Sequence, residues 1–203
     1  MSNFTLSTAT ISDTPELGHL MALAYQNDPI QRTLMPFAVR GPYWGAWLAH
    51  DFSRAGEMYY KITDVLTSQI VAFAKVRYPA PVDSKGDFAQ APPEGTDVQT
   101  LMHWFEQMDA CHKKHASYEE DYYLNVLCVH PSYQRQGLGK MLLSRFLADA
   151  DKEHKRAYLQ ATALGRPLYV KCGWVDVEDM VTQTPEGPVV WKCMMREPGA
   201  GGE

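Results

Sequence analysis

The chain is poor in cysteine, and the cysteines it has are badly placed for metal. Cys111, Cys128, Cys172 and Cys193 contain no CxxC pair, and four in 203 residues do not make a disulfide framework. They read as reduced thiols. No apolar run approaches the ~18 residues that cross a bilayer. Residues 1–12 lack the basic and apolar regions of a secretory signal. The expectation is a cytoplasmic protein with no membrane partner. Positive charge is also scarce. Nineteen Lys and Arg stand against 24 Asp and Glu, a formal charge of -5, so the field that draws proteins to nucleic acid is missing and no nucleic-acid partner is expected. There is no internal repeat. What is present, 45% hydrophobic and 21% charged residues, is the composition of a folded chain, and the length suits one domain over residues 1–196.

Periodicity orders the elements. Phe4 to Thr10 alternates as a strand, and Leu17, Leu20, Met21 and Ala24 share a helical face over Pro15–Gln26. Asn27 to Pro42, with three prolines and no clear period, reads as a loop, followed by a helix carrying Trp44, Trp47, Leu48 and Phe52. Met58–Val65 and Gln69–Tyr78 form a hairpin. Residues 79–116 read as an insertion, an irregular proline-rich stretch to Gly95 and then a helix with Val98, Leu101, Met102, Phe105 and Met108 on one face. Tyr122–Val129 is a strand buried on both sides, Gly137–His154 a helix, Ala157–Ala161 a strand and Arg166–Cys172 a short helix. Trp174–Val177 and Val189–Met195 are the last strands, and residues 197–203 a disordered tail. The class is α/β.

Chemistry concentrates after the buried strand. Gln134, Arg135, Gln136, Gly137, Leu138, Gly139 and Lys140 join it to an amphipathic helix, where successive backbone N–H groups and the helix N-terminus can hold one anion. Gly137 and Gly139 would let a phosphate approach the main chain, with Arg135 and Lys140 adding charge at the rim.

The run Leu124 to Gly139 resembles the signature of the GCN5-related N-acetyltransferases, a strand, a Q/R-x-x-G-x-G/A turn and a helix. Leu159-Gln160-Ala161-Thr162 followed by Gly165 to Trp174 looks like that family's next strand, Leu-Tyr helix and Gly-aromatic turn. The resemblance covers Tyr122 to about Trp174. It implies a mixed sheet of about six to seven strands flanked by helices, and acetyl-coenzyme A as cosubstrate with no metal. The diphosphate would lie on Gln134–Lys140, and the pantetheine and thioester along Leu127, Cys128 and Val129. Tyr169 matches the family tyrosine beside the sulfur, able to return a proton to the departing thiolate. The acceptor implied is a small primary amine, attacking directly in a ternary complex. A non-catalytic acyl-coenzyme A sensor and a protein or peptide acetyltransferase are the alternatives.

An ammonium group must lose a proton before attack, and no single base stands out in the sequence. Alternation puts Tyr123 and Asn125 on one strand face with Leu127 and Val129, able to position a water chain. Glu119, Glu120 and Asp121 are nearby acids that read as a solvated strand end, and His130 reads as structural. Asp109, His112 and His115, at i, i+3 and i+6, read as a solvated helix face rather than a metal site, since no fourth ligand accompanies them. Phe37 and Tyr43 are candidate walls of the acceptor pocket. A monomer or homodimer is expected.

Overall fold

The computed structural model describes residues 3–82 and 88–199. In chain order the elements are β1 (Phe4–Thr8), α1 (Thr14–Ala24), α2 (Pro29–Leu34), α3 (Phe37–Asp51), β2 (Glu57–Asp64), β3 (Ile70–Arg77), α4 (Val98–His115) and β4 (Tyr122–Val129). Then come α5 (Leu138–Lys152), β5 (Ala157–Ala161), α6 (Arg166–Lys171), β6 (Val175–Thr184) and β7 (Gly187–Arg196). Among the described residues seven strands form one mixed sheet in the order β1-β2-β3-β4-β5-β7-β6, parallel only between β4 and β5.

Two helical layers cover the sheet. On one side α5 supplies Leu138, Leu142, Leu143, Phe146, Leu147 and Ala150, a stripe at helical spacing, against the β strands, with Tyr169 and Trp174 beside it. On the other, α1, α2, α3 and α4 pack aromatic and aliphatic residues including Leu17, Ile30, Trp44, Leu48 and Trp104. The helices α1 and α3 touch at glycine. A Cβ on Gly18 would lie 2.4 Å from the carbonyl oxygen of Gly41 and from the amide nitrogen of Gly45, so the backbones themselves are in contact.

That contact corrects the expected loop at Asn27–Pro42. The segment is helical at α2, capped by the Asp28 carboxylate accepting from Gln31 N–H at 3.0 Å, and again from Phe37 onward, with Pro42 inside α3. Pro42 removes one helix hydrogen bond, and the packing of Gly41 and Gly45 against α1 outweighs that loss. The strand placed at Trp174–Val177 runs instead over β6 to Thr184, and Trp174 is wholly buried just before it. Of the expected tail, Gly199 N–H donates to Asp151 at 2.7 Å, and residues 200–203 lie outside the described residues.

Strand β4 positions the site through two irregularities. Its parallel pairing with β5 lasts only from Tyr122↔Ala157 to Leu124↔Leu159, after which the two strands part. On its other edge Val76 pairs with Leu124 but Lys75 with Val126, so Asn125 is an extra residue, a β-bulge. The bulge reverses the alternation. Tyr123, Val126 and Cys128 face the α1/α3/α4 layer, and Tyr122, Leu124, Leu127 and Val129 the α5 layer. The expected sharing of one face by Tyr123, Leu127 and Val129 is therefore wrong.

Candidate active site

Where β4 and β5 part, β4 has backbone groups without ladder partners. His130 N–H bonds to Val71 O on β3 at 2.8 Å, and antiparallel alternation then turns Cys128 toward β3 and Leu127 and Val129 toward the open side. The Leu127 carbonyl accepts from the Tyr25 hydroxyl at 3.4 Å and the Val129 carbonyl from Gln134 Nε2 at 3.3 Å. Their N–H groups have no acceptor among the described residues. Of the three β4 residues expected to contact a pantetheine, Leu127 and Val129 offer main-chain donors and Cys128 does not.

The turn that follows ends the same groove. Arg135 (φ 62°) and Gly137 (φ 84°) both adopt left-handed backbone, and the first bond of α5 runs from Met141 N–H to Gly137 O at 3.0 Å. The N–H groups of Leu138, Gly139 and Lys140 therefore lack intrahelical acceptors and sit at the positive end of the helix dipole. Gln134, Arg135, Gln136 and Lys140 are exposed around them. A Cβ on Gly137 would meet nothing within 4 Å, so the space above this turn is open to an anion. Gly139 has a different role from the one expected. Its Cβ would lie 3.0 Å from Leu168 Cδ2, 3.6 Å from Leu127 and 3.9 Å from Val129, so it lets α5 approach α6 and β4 rather than admitting a ligand.

Tyr169 closes the groove from α6. A Cβ on Gly165 would come within 3.1 Å of its ring, and Trp174 packs edge-on at 5.8 Å, which fixes the phenol. Burial, with Cys128 and Cys172 nearby, holds that phenol well above its usual range, so it is protonated at neutral pH. Tyr25 lies across the groove beside Cys128 and is raised in the same way.

The groove opens into a cavity of about 700 Å³ between the sheet and α1, α3 and α4. Tyr43 lines it, whereas Phe37 does not. Phe37 is 48% exposed and borders a separate shallow groove with His19 and Pro42, because the helical start of α3 turns it outward. Tyr123 and Asn125 both line the cavity. The Tyr123 hydroxyl donates to Gln160 Oε1 at 2.8 Å, while Gln160 Nε2 donates to the Met108 carbonyl at 2.9 Å, tying β4, β5 and α4 together. Asn125, at the bulge, keeps a buried Oδ1 with no hydrogen-bond partner. From the 79–116 insertion, Phe88, Trp104, Phe105 and Met108 contribute to the wall.

The sequence reading missed the cavity's charged residues. Lys75 is 2% exposed, bonds to Asp51 at 2.6 Å and lies 4.1 Å over the ring of Trp47. Burial opposes ionisation of Asp51, but Lys75, His50 and Arg54 overcome it and hold the carboxyl below its ordinary range. Glu57 goes the other way. Burial raises it more than Lys75, at 3.7 Å, and Arg77, at 3.9 Å, lower it, and its Oε2 has no hydrogen-bond partner. The signal lay in β3, whose eight residues are all buried yet include Lys75 and Arg77. Two cations in such a strand require anions on its neighbours.

The solvated positions expected of Asp121 and His112 are corrected. Asp121 is not solvated. It is 4% exposed, receives Arg156 at 2.9 and 3.0 Å and accepts from Ser117 N–H, and so secures the turn into β4, while Glu119 and Glu120 are exposed. His112 is 2% exposed and stacked 3.8 Å from Tyr118, away from any solvated face. His115 bonds to Glu178 at 2.6 Å, and no metal-binding cluster occurs among the described residues. His130 caps the turn after β4, its Nδ1 accepting from Ser132 N–H at 3.2 Å. Among the described residues no helix is long and apolar enough to cross a membrane.

Residues 106–176, from within α4 to the start of β6, match the acetyltransferase (GNAT) domain. The whole chain is similar in structure to a Corynebacterium glutamicum protein described as histone acetyltransferase HPA2 and related acetyltransferase, with 19% identity, 98% of each chain covered and a TM-score of 0.65. It is also similar to the mosquito arylalkylamine N-acetyltransferase like 5b, with 14% identity, 96% of this chain and 99% of that one covered and a TM-score of 0.63. A third similar structure is PaiA N-acetyltransferase from Thermoplasma acidophilum in complex with coenzyme A, with 14% identity, coverage of 97% and 99% and a TM-score of 0.57. At these identities the likeness is one of fold, and it agrees with the groove between β4 and β5 and with the turn that starts α5. Residues 106–176 thus match an acetyltransferase (GNAT) domain, and the chain around them has the fold of the GCN5-related N-acetyltransferases.

Proposed function

We propose that the protein is an acetyl-coenzyme A dependent N-acetyltransferase acting on the primary amine of a small molecule. The observation that carries this reading is the continuity of the groove. Unpartnered N–H groups of Leu127 and Val129, the free first turn of α5 and the Tyr169 phenol follow one another and open into a cavity holding a carboxylate. Bound acetyl-coenzyme A supplies an acetyl group activated as a thioester.

The residues of this chain divide the remaining work. The amides of Leu138 to Lys140 bind phosphate oxygens, assisted by Arg135 and Lys140. The N–H of Leu127 or Val129 is a fixed donor for a carbonyl oxygen that gains negative charge as the amine attacks. Asn125 Oδ1 accepts a hydrogen bond from the amine and orients it. Glu57 takes the amine's proton, directly or through water. Its desolvated carboxyl is a stronger base than a solvated one, which suits it to this task. Tyr169 holds a proton for the leaving sulfur. Starting from the ammonium, one proton leaves through Glu57 to solvent before attack; then one N–C bond is made and one C–S bond broken, sulfur takes the Tyr169 proton, and the proton lost by the adduct nitrogen restores Tyr169 by way of water. The acidic base and the protonated tyrosine in one cavity favour catalysis over a sensor role.

Acetyl-coenzyme A at ~100 times Kd should stabilise the fold by about 2.7 kcal/mol, a rise in Tm of roughly 5 to 11 °C for a chain this long. Release of coenzyme A should follow when amines are added, with an acetylated product by mass. Tyr169→Phe should lower kcat by ~10²-fold with little change in acetyl-coenzyme A affinity. A folded protein that acetyl-coenzyme A does not stabilise overturns the proposal.

A further inference from the structure

We infer that the Tyr25 hydroxyl is a second hydrogen-bond donor to the acyl carbonyl oxygen, acting beside the Leu127 N–H. The inference rests on the acetyltransferase reading and concerns the point where the β4 groove meets the cavity.

The main chain of β4 fixes that point. Of the two residues whose N–H groups turn to the open side, Leu127 lines the cavity and Val129 does not. The Val129 carbonyl accepts from Gln134 Nε2 at 3.3 Å, at the end of the groove that leads to the α5 turn. The donor at the cavity end is therefore the Leu127 N–H. In an extended residue the N–H and the C=O project to the same side of the strand. The Tyr25 hydroxyl occupies that side. It donates to the Leu127 carbonyl at 3.4 Å, and Tyr25 lines the cavity together with Tyr169. An oxygen accepted by the Leu127 N–H comes within reach of the same hydroxyl.

That hydroxyl is poorly matched as it stands. An O–H···O bond is ordinarily about 2.7 to 2.8 Å long, so its present bond is at the outer limit. The Cys128 thiol beside it is a weak partner. A desolvated donor with a poor acceptor gains most from an oxygen that turns negative as the amine attacks. Burial, with Cys128, Tyr169 and Asp28 adding to it, holds the phenol well above its ordinary range, so the proton it offers stays in place at neutral pH.

The donor is also fixed in advance. Tyr25 closes α1, its N–H bonded to Met21 O at 3.0 Å, and its ring packs against the core of the α1/α3/α4 layer. The contact of Gly18 with Gly41 and Gly45 locks α1 itself to α3. A group placed before the reaction needs no reorganisation during it. Two phenols then serve two atoms, Tyr25 the oxygen and Tyr169 the sulfur.

The test uses the full chain with acetyl-coenzyme A and with S-ethyl-coenzyme A, the thioether in which a methylene replaces the carbonyl. Kd is measured for both by calorimetry, and the carbonyl stretch of bound acetyl-coenzyme A by isotope-edited infrared spectroscopy. In the parent the band should lie below its position in water, because two fixed donors in a desolvated site hold the oxygen more strongly than solvent does. Tyr25→Phe should weaken acetyl-coenzyme A by about fivefold, the worth of one hydrogen bond, and leave S-ethyl-coenzyme A unmoved. The band should shift back toward its position in water in Tyr25→Phe and stay at the parent position in Tyr169→Phe. Equal loss of both ligands, or a band that Tyr25→Phe does not move, overturns the inference and leaves Tyr25 as a support for the Leu127 main chain. A parent band at or above its position in water overturns it without any variant. Failure of the folded parent to bind either ligand overturns the acetyltransferase reading, and the inference falls with it.

Discussion

The two faces of the sheet solve different problems with different residues. Under α5 the core is mainly aliphatic, with Tyr60, Tyr122, Phe146, Tyr169 and Trp174 among the aliphatic side chains. Under α1, α3 and α4 it holds tryptophans, tyrosines, a lysine paired to an aspartate and a histidine with no hydrogen-bond partner. The first face fixes the turn after β4 and the groove beside it. The second builds a cavity whose shape depends on rigid rings and desolvated charge.

The contrast can be broken at its strongest point first. Glu57→Gln keeps the shape of the inner cavity and removes the carboxylate proposed as its base, so kcat/KM for an amine should fall by ~10²- to 10⁴-fold with acetyl-coenzyme A affinity unmoved. In the parent protein the acidic limb of the pH profile should lie above the ordinary carboxylate range, since activity needs Glu57 ionised and burial raises it. An unaltered rate in the variant removes Glu57 from the mechanism.

Next in size is His112. Burial lowers its pKa from 6.5 to about 4, against the pull of Asp109 and Asp121. The unfolded chain therefore binds this proton first as the pH falls. The stability it secures is complete above pH 6.5 and drains away toward pH 4, by up to ~3 kcal/mol. Denaturant melts of the parent and His112→Phe across that window should diverge, the variant losing less. Parallel curves would show that the histidine is not neutral in the fold.

The glycines give the smaller effects and compare the faces directly. Gly18→Ala drives a methyl into main-chain atoms at 2.4 Å and should cost about 2 to 3 kcal/mol by chemical denaturation. Gly139→Ala meets only side-chain ends, with just Leu168 Cδ2 tight at 3.0 Å and able to turn aside, and should cost about 1 kcal/mol or less. Equal losses would mean that the two layers are equally rigid.

How much of this was legible in the sequence follows the same division. β4, β5 and the helix stripe of α5 are local patterns of apolar spacing and were read almost to the residue. So was the turn after β4, because its glycine and its flanking elements are contiguous. The other face depends on distant residues. Local sequence places Phe37 in the pocket and Pro42 in a loop because nothing local reports that Gly18 lies against Gly41. The bulge at Asn125 was invisible, since an extra residue in a strand is defined only by its partner. Glu57, Lys75 and Asp51 come from three elements, and only folding reveals them as one cluster.

The parting of β4 from β5 has a consequence for amide hydrogen exchange. Along β4, Val126 and Cys128 have their N–H groups turned to β3, while those of Leu127 and Val129 are turned to the groove without an acceptor. Neighbouring amides in one buried strand should thus trade their hydrogens at very different rates, alternating residue by residue. A molecule that fills the groove would slow only the fast members of that series. The strand is in effect an internal gauge of occupancy, readable without any chemical turnover.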